Sequence, residues 1–272
     1  MKYYLYNPLA NNGIRPELKS GTELVDAEGL DYASYLNSLE PDDEVILLGG
    51  DGTLNYFINA VKNVEIRNRI YLFGSGTGND FLTDIGEQPG KEVLINPYLT
   101  NLPTVFVNGI EKLFINNMGF GIDGYCCEVA DKIKEKNPME KIDYSGIAVK
   151  GLLFHFQPCS AEVTVDGVTH TFDHVWIAPT MKGRYYGGGM QMAPDQDRFS
   201  NRLSVVVYHC RSKLKALISF PSIFKGEHIA KKDMVDIFTG NEIHVRFSRP
   251  CAAQIDGEIV LNVTEYRAVL PK

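Results

Sequence analysis

The 272-residue sequence has no excess of basic residues and no long hydrophobic run. Its 27 Lys and Arg against 34 Asp and Glu give a formal net charge of −7, whereas proteins that bind nucleic acid by bulk electrostatics usually carry a positive excess. No stretch approaches the ~18 consecutive apolar residues of a membrane-spanning helix, and the first residues lack a signal peptide's apolar segment. We therefore expect a cytoplasmic protein that does not bind nucleic acid.

Cysteine and histidine are too few and too scattered for a disulfide framework or a transition-metal site. The five cysteines are odd in number and include no Cys-x-x-Cys pair, and the six histidines show no ligand spacing. We interpret the cysteines as mostly buried thiols. With 44% hydrophobic and 22% charged residues the chain has ordinary globular composition, and at roughly 100–200 residues per domain its length favours two domains.

Short apolar runs in the first hundred residues are typical of buried strands. The runs are Tyr3–Tyr6, Val45–Leu48 and Ile70–Phe73. A continuous apolar run is expected of a parallel strand that is covered on both faces. After the second run, Leu54, Phe57, Ile58 and Val61 fall at the spacing of a helix packed on a sheet. This order predicts an α/β domain with an open, mostly parallel sheet.

Beyond about residue 95 the pattern changes to that of β-hairpins. The dipeptide Asp166-Gly167 separates two alternating segments, which is a strong signal for a two-residue turn. We therefore predict an α/β domain over residues 1–97 and a β-rich, mainly antiparallel domain over residues 98–272, and we leave open whether the last strands return to the first domain.

The segment Gly49–Asn55 is the most informative for chemistry. Its three glycines, between a predicted strand and a predicted helix, let backbone N–H groups approach an anion at a helix N-terminus, and phosphate suits such a site. The P-loop lysine and the Rossmann glycine spacing are both absent. The alternative is a tight turn without ligand, which leaves Asp51 unexplained, because a carboxylate weakens phosphate binding unless a metal or hydrogen bonds compensate its charge.

Six segments, in order from residue 3 to residue 260, resemble the diacylglycerol kinase catalytic-domain family. They are Asn7-Pro8 with Ala10–Gly13, Gly49–Asn55, Gly76–Phe81, Asn116 with Gly119–Asp123, Gly187–Gly189 with Ala193–Asp195, and Gln254–Glu258. This family includes bacterial soluble lipid kinases and is related to sphingosine and ceramide kinases and, more distantly, to NAD kinases. The resemblance implies an NAD kinase-like α/β domain followed by a β-sandwich.

The resemblance also implies an activity and a nucleotide site. The enzyme would transfer the γ-phosphate of ATP, with Mg²⁺, to a primary hydroxyl of a lipid such as diacylglycerol in phospholipid metabolism, during transient contact with a membrane surface. The residues implied in nucleotide binding are Asn7, Gly49, Gly50, Asp51, Gly52, Thr53, Gly76, Thr77, Gly78 and Asn79. Whether GTP replaces ATP, and whether the protein is a homodimer, stay open.

Acidic residues complete the implied site. The family pattern makes Glu258 the general base, assigns Asp123 to the acceptor headgroup and Asp51 to catalysis, and assigns a metal to the three acids Asp80, Asp195 and Asp256. Each assignment has a simpler alternative. Asp256-Gly257-Glu258 also fits a type I′ hairpin with two solvated acids, and Asp123 and Asp80 also fit helix N-caps.

The sequence departs from the family pattern at three places. Pro103 stands where an acid is usual, Thr83 where an arginine is usual, and Ser200-Asn201 where an Asp-Gly pair is usual. These departures leave open two alternatives, a non-lipid small-molecule kinase of the NAD kinase-like superfamily and a nucleotide-binding regulator with impaired catalysis.

Membrane contact would have to be local, because the net charge is negative. The sequence contains two lysine clusters, one of Lys132, Lys134, Lys136 and Lys141 and one of Lys225, Lys231 and Lys232. We interpret them as solvated faces, with anionic lipid as the alternative. We interpret the apolar segment 151–156 as part of the core, with an acyl-chain cleft as its alternative.

Overall fold

The computed structural model describes residues 1–7, 20–76, 78–137, 140 and 142–271, with the side chain of Ser145 left out. It contains two compact units, Met1–Leu102 and Pro103–Lys272. The units divide between Leu102 and Pro103, whereas the boundary predicted from the sequence lies at residue 97. The predictions for Pro8, Ala10–Gly13, Thr77 and Lys141 lie outside the described residues.

The first unit is an α/β domain with a five-stranded, mostly parallel sheet. Its strands are β1 (Lys2–Tyr6), β2 (Thr22–Asp26), β3 (Glu44–Gly49), β4 (Arg69–Gly74) and β5 (Glu92–Leu94), and its α-helices are α1 (Tyr32–Ser38), α2 (Asp51–Ala60) and α3 (Asp80–Asp84). The order is β2-β1-β3-β4-β5, in which β5 alone runs antiparallel to its neighbour. The predicted fold class of this domain is confirmed.

Burial explains why these segments form these elements. Strand β3 lies in the middle of the sheet, and its apolar run Val45–Leu48 is buried along its whole length. The predicted helical stripe forms one buried face on α2, which includes Leu54, Phe57 and Ile58, and Val61 at its C-terminus is also buried. Both predictions are confirmed, because each rested on a local pattern of burial.

The second unit is built on a ten-stranded sheet in which every described pairing is antiparallel. The strands of this sheet are β6 (Thr104–Val107), β7 (Ile110–Leu113), β8 (Asn117–Phe120), β9 (Cys159–Val165), β10 (Val168–Ile177), β11 (Thr180–Met181), β14 (Leu203–His209), β15 (Val235–Gly240), β16 (Glu242–Ile255) and β17 (Glu258–Val269). Two further strands, β12 (Tyr185–Tyr186) and β13 (Met190–Gln191), form a separate two-stranded ribbon. The sheet order is β7-β6-β17-β16-β8-β11-β14-β10-β9, with β15 beside β14. The predicted antiparallel second domain is confirmed.

Strands β16 and β9 also pair, so the sheet curls back on itself. The last strands, β16 and β17, pair with each other and with β6, β8 and β9 of the second unit. Inside this unit the Trp176 indole N–H donates to the Cys210 carbonyl at 2.9 Å, and the rings of Phe120 and Phe247 stack at 3.9 Å.

The helices of the second unit are α4 (Ile122–Lys136), α5 (Tyr144–Lys150) and α6 (Lys213–Ser219). Short helical turns cover Gly151–His155, which has π-helical hydrogen bonding, and Phe220–Lys225 and Glu227–Ala230, which are 3₁₀ turns. Among the described residues, no helix is both long enough and apolar enough to cross a bilayer. All five cysteines are free thiols and four are buried, as predicted.

Candidate active site

Two glycine loops of the first unit lie against each other. One joins β3 to α2, and the other joins β4 to α3. A Cβ atom on Gly50 would lie 2.2 Å from the carbonyl oxygen of Gly78, and one on Gly76 would lie 3.0 Å from the backbone nitrogen of Gly50. The close approach of the two backbones therefore requires glycine at Gly50 and leaves little room for a side chain at Gly76.

Asp51 fastens the two loops together. Its backbone N–H donates to the Gly78 carbonyl at 3.1 Å, and its carboxylate accepts the backbone N–H groups of Asp80 at 2.8 Å and Phe81 at 2.9 Å. The carboxylate therefore caps the first turn of α3. These hydrogen bonds compensate the negative charge that made Asp51 hard to reconcile with a phosphate site.

The N-terminus of the ten-residue helix α2 keeps open backbone donors. The N–H groups of Gly52 and Thr53 make no hydrogen bond within the part of the chain that the structure describes. Gly52 is exposed, and a Cβ atom there would meet nothing within 4 Å. Gly49 has no such room, because its Cβ would lie 1.9 Å from the Thr53 Oγ1. Open amides and the positive end of the helix dipole make this helix start suited to an anion.

Asn79 contributes an unsatisfied polar atom beside the second loop. Its Nδ2 donates to the Gly76 carbonyl at 2.8 Å, whereas its buried Oδ1 has no partner among the described residues. A buried acceptor without a donor is costly and calls for a ligand group or water. Asn7, the other side chain predicted to hold the nucleotide, is exposed at the end of β1.

In the second unit, Asp256 anchors the hairpin between β16 and β17. Asp256 and Gly257 have φ angles of 47° and 93°, which fit the predicted type I′ turn. The Asp256 carboxylate is buried and accepts the N–H groups of three consecutive residues, Ile115, Asn116 and Asn117, at 2.7 to 2.9 Å. It is therefore not the solvated acid of a simple hairpin, and its assignment to a metal stays a prediction.

Glu258 begins β17 directly after this turn. Its side chain is 47% exposed and forms an ion pair with Lys112 on β7. Lys112 carries no motif signal, because the two residues are 146 positions apart in the chain and meet only through sheet pairing. The pair gives the Glu258 carboxylate one fixed cationic neighbour, and the base assignment stays a prediction.

Asp123 is a buried acid in the first turn of α4. Its Oδ1 accepts the Gly124 N–H at 2.8 Å, and its Oδ2 accepts the Gln254 amide at 3.3 Å. Burial raises the pKa of this carboxyl to about 6, against the opposing effect of these hydrogen bonds. Gly119 must lack a side chain, because a Cβ there would lie 1.6 Å from Asp123 Oδ2. Asp123 thus places, beside the β8 backbone, a carboxyl that keeps its proton to a higher pH than an exposed aspartate does.

The N-cap alternatives for Asp123 and Asp80 are wrong. The cap position of α4 is Gly121, and that of α3 is Asn79, so each acid lies inside the first helical turn. Acids in a first turn still interact favourably with the helix dipole.

Two buried cations, Arg198 and Lys182, are not indicated by any sequence motif, because they lie outside the glycine motifs. Arg198 donates to the Ile115 carbonyl and, at 2.9 Å, to the Asn116 Oδ1. Lys182 donates its backbone N–H to the Asn116 carbonyl at 2.8 Å and its ammonium group to the Ser200 carbonyl at 3.3 Å. Arg198 and the Asp256 carboxylate therefore hold the same segment, 115–117, through different polar groups.

Burial, and then the charge of Arg198, lowers the pKa of Lys182 to about 8. The Lys182 ammonium group donates a hydrogen bond to the carbonyl of Ser200. Ser200 is the first of the two residues that stand where the family usually has an Asp-Gly pair. The residues at the other two departures from the family pattern, Thr83 and Pro103, are uncharged, like Ser200 and Asn201. The Thr83 hydroxyl donates to the Asn79 carbonyl at 3.0 Å, and the buried Pro103 accepts the Phe114 N–H at 3.2 Å.

The three acids assigned to a metal lie in two different units, Asp80 in the first and Asp195 and Asp256 in the second. Among the described residues, no group of three or more His, Cys, Asp or Glu side chains is arranged to hold an ion. Asp80 is buried in the first unit, whereas Asp195 is exposed on the loop after β13 in the second. The assignment of these acids to a metal therefore stays a prediction.

Comparison with known proteins agrees with this architecture. A family model described as "Diacylglycerol kinase catalytic domain" matches residues 8–98, and one described as "YegS C-terminal NAD kinase beta sandwich-like domain" matches residues 116–272. A relative named diacylglycerol kinase, from Mycobacterium tuberculosis, is 24% identical over 263 residues, which is 89% of this chain and 83% of that protein.

A solved structure shares the fold. The crystal structure of a diacylglycerol kinase from Bacillus anthracis, 17% identical, superimposes with a TM-score of 0.62 and covers 100% of this chain and 93% of that one. The second-domain model alone spans more than half of the chain, and the first-domain model covers the α/β unit. The chain therefore belongs to the diacylglycerol kinase catalytic-domain family of phosphotransferases, with a YegS-type second domain.

Proposed function

We propose that this protein is an ATP-dependent lipid kinase that transfers the γ-phosphate to a primary hydroxyl of a lipid such as diacylglycerol. The observation that carries the proposal is the paired glycine loops, which leave the N–H groups of Gly52 and Thr53 open at the start of α2. Such a site suits the phosphates of a nucleotide. The names of the relatives support a lipid as acceptor.

On the donor side, the chain's own residues would bind and orient the nucleotide. The α2 amides would hold phosphate oxygens, and the unsatisfied Asn79 Oδ1 would accept a hydrogen bond from the bound nucleotide. Asp51 would act through the backbone, because its carboxylate fixes the position of both loops. Its role is therefore positional.

Magnesium would come with the nucleotide in this proposal. Mg²⁺ in phosphoryl-transfer enzymes is usually held by substrate phosphates and one or two carboxylates, and it neutralises the charge that develops during transfer. The described residues lack a cluster of three ligating side chains. We therefore assign no step of the proposed phosphoryl transfer to a magnesium ion that is held by protein side chains alone.

On the acceptor side, two acids have distinct proposed roles. Asp123, with a pKa of about 6, would hold the headgroup by accepting a hydrogen bond from a hydroxyl. Glu258, at the turn that Asp256 anchors, would take the proton from the attacking hydroxyl. The Lys112 ammonium would orient the Glu258 carboxylate.

The test is phosphate transfer from γ-labelled ATP to a panel of acceptors presented to the full chain. The panel contains diacylglycerol, ceramide and a sphingoid base in mixed micelles, with NAD and sugars in solution. Label in a lipid product supports the proposal, and label in NAD or a sugar alone contradicts it.

A nucleotide-binding regulator is the second candidate, and the Lys182 contact favours it. A buried ammonium group meets the Ser200 carbonyl where the family usually has an acid. Saturable ATP binding without turnover on the whole panel would support this candidate against the kinase.

A further inference from the structure

One surface of the second unit combines exposed apolar side chains with basic ones. Ile218, Phe154 and Leu214 are 71%, 70% and 64% exposed, more than any other large apolar side chain of the described residues. Phe224 is also exposed, at 38%. We call these four residues the α6 patch. The sequence interpretation of residues 151–156 as core is wrong for Phe154, because it projects from the π-helical turn 151–155.

The segments that carry the α6 patch are neighbours in the structure. Leu214 and Ile218 are four residues apart on α6 and share one face. Helix α6 contacts the turn 151–155, and the Lys213 ammonium donates to the Leu153 carbonyl at 3.5 Å. The turn that carries Phe154 therefore lies beside the helix.

The end of α6 is tied to the following 3₁₀ turn. The Lys231 ammonium donates to the hydroxyl groups of Ser219 at 2.6 Å and Ser222 at 2.9 Å. In the same turn the Phe220 and Phe224 rings pack edge to face, with centroids 5.9 Å apart. These contacts hold Phe224 next to the exposed face of α6.

Packing within the unit does not account for this exposure. The opposite side of α6 already provides the core contacts, because Ala216 and Ser219 are buried and Leu217 packs against the core. A surface helix normally has one apolar face and one polar face, whereas α6 is apolar on both. Large apolar side chains exposed together on neighbouring segments point to an interaction surface.

The charge around the patch identifies its partner. Residues 211–233 contain six basic and two acidic side chains, so 6 − 2 gives +4 in a chain whose net charge is −7. Arg211, Lys215, Lys225 and Lys232 are exposed. Lysine is depleted at the centres of protein interfaces, whereas basic residues beside an inserted apolar face are typical of helices bound to anionic lipid.

The other lysine cluster lacks this combination. Helix α4 carries Lys132, Lys134 and Lys136, but none of the most exposed apolar side chains of the described residues lies on that helix. The α6 patch is therefore the better membrane candidate.

We propose that the α6 patch docks the protein onto an anionic phospholipid surface. Leu214, Ile218, Phe154 and Phe224 insert between the headgroups, and the surrounding basic side chains contact the lipid phosphates. The purpose of the docking surface rests on the proposed function, because a lipid kinase must meet its substrate in a bilayer.

The test is co-sedimentation of the full chain with vesicles, without ATP or lipid substrate. Phosphatidylcholine vesicles with and without phosphatidylglycerol are compared at low and physiological salt. We expect binding to the anionic vesicles that weakens with salt. The double variant Leu214→Ser/Ile218→Ser should bind at least about tenfold more weakly. The matched control is Val168→Ser, which removes an exposed apolar side chain outside the patch.

A second variant tests the electrostatic contribution separately. The change Lys225→Glu/Lys232→Glu leaves the apolar residues in place and should abolish the preference for anionic vesicles. Wild-type binding by both double variants would overturn the proposal. Self-association of the wild type that Leu214→Ser/Ile218→Ser removes, without vesicle binding, would assign the patch to a second copy of the chain instead.

The result of the vesicle co-sedimentation does not depend on the proposed kinase function, because vesicle binding is measured without phosphate transfer. If the protein transfers phosphate to a lipid, the Leu214→Ser/Ile218→Ser variant should lose activity on vesicles and keep it on a short-chain diacylglycerol dissolved as monomers. If vesicle binding is normal and no acceptor is phosphorylated, the kinase proposal fails and the docking surface stands.

Discussion

The carboxylate of Asp51 accepts the backbone N–H of Asp80 at 2.8 Å, across 29 positions of the chain. This hydrogen bond joins the start of α2 to the start of α3, so the two glycine loops share one geometry. An acid inside a phosphate-binding loop is therefore part of the scaffold that holds open the amides of Gly52 and Thr53.

Replacing Asp51 by alanine should weaken nucleotide binding and destabilise the fold. The change leaves the N–H groups of Asp80 and Phe81 without their acceptor, which costs about 1–3 kcal/mol. Urea unfolding and calorimetric titration with ATP measure both effects. The matched control is Asp31→Ala, which also removes an acceptor of two backbone N–H groups, at the start of α1. Equal ATP affinity in Asp51→Ala and Asp31→Ala would refute the positional role of Asp51.

Alanine at Gly50 and alanine at Gly52 should have opposite effects on stability. At Gly50 a Cβ would lie 2.2 Å from the Gly78 carbonyl oxygen, and forced overpacking typically costs about 1–3 kcal/mol. At Gly52 a Cβ meets open space, and alanine favours helix over glycine by up to about 1 kcal/mol. Thermal unfolding should therefore show a lower Tm for Gly50→Ala and an equal or higher Tm for Gly52→Ala. A lower Tm for both would mean that the loops do not pack as described.

The stability of the protein should depend on pH through Asp123. Burial raises the pKa of its carboxyl from 3.8 to about 6, so between these values the folded state holds a proton that the unfolded state has lost. The contribution of this group is therefore fully present below pH 3.8 and is lost as the pH rises through about 6. At about 1.4 kcal/mol per pKa unit, the loss is about 3 kcal/mol.

The variant Asp123→Asn isolates this effect, because an amide does not ionise. Its free energy of unfolding, relative to the wild type, should rise by up to about 3 kcal/mol between pH 4 and pH 7. Urea titrations across that range provide the measurement. A difference between the two proteins that stays constant with pH would exclude the raised pKa.

Replacing Glu258 by glutamine should lower turnover while leaving stability almost unchanged. The ion pair with Lys112 is solvent-accessible, and such pairs contribute about 0–1 kcal/mol. Loss of a general base typically lowers kcat by about 10²–10⁴-fold. The control is Glu265→Gln, which removes another half-exposed acid of β17 that is paired with Arg246. Equal kcat values for the two variants would remove Glu258 from the reaction.

Local patterns in the sequence were sufficient to predict the elements that form the loops. The apolar run Val45–Leu48 and the stripe on α2 each indicate a buried segment, and Gly50 before Asp51 marks the close approach of two backbones. Strand β2 was missed because Thr22–Asp26 has no apolar run and only partial burial.

Contacts between distant residues could not be predicted, because no local pattern encodes them. The Lys112–Glu258 pair depends on the sheet pairing that brings β7 close to β17, and the contact of Arg198 with Asn116 spans 82 positions. The exposed face of α6 was also hidden, because Leu214 and Ile218 fit a core helix equally well by spacing.

The measurement that tests the central claim most directly compares two lipid acceptors that differ only at the primary hydroxyl. Wild-type protein is incubated with γ-labelled ATP, Mg²⁺ and mixed micelles that contain either diacylglycerol or the same lipid with its primary hydroxyl blocked as a methyl ether. A lipid kinase should label the free alcohol, leave the ether unlabelled and lose the labelling in Glu258→Gln. Saturable ATP binding with no label in the free alcohol or in any other lipid acceptor would contradict the proposal.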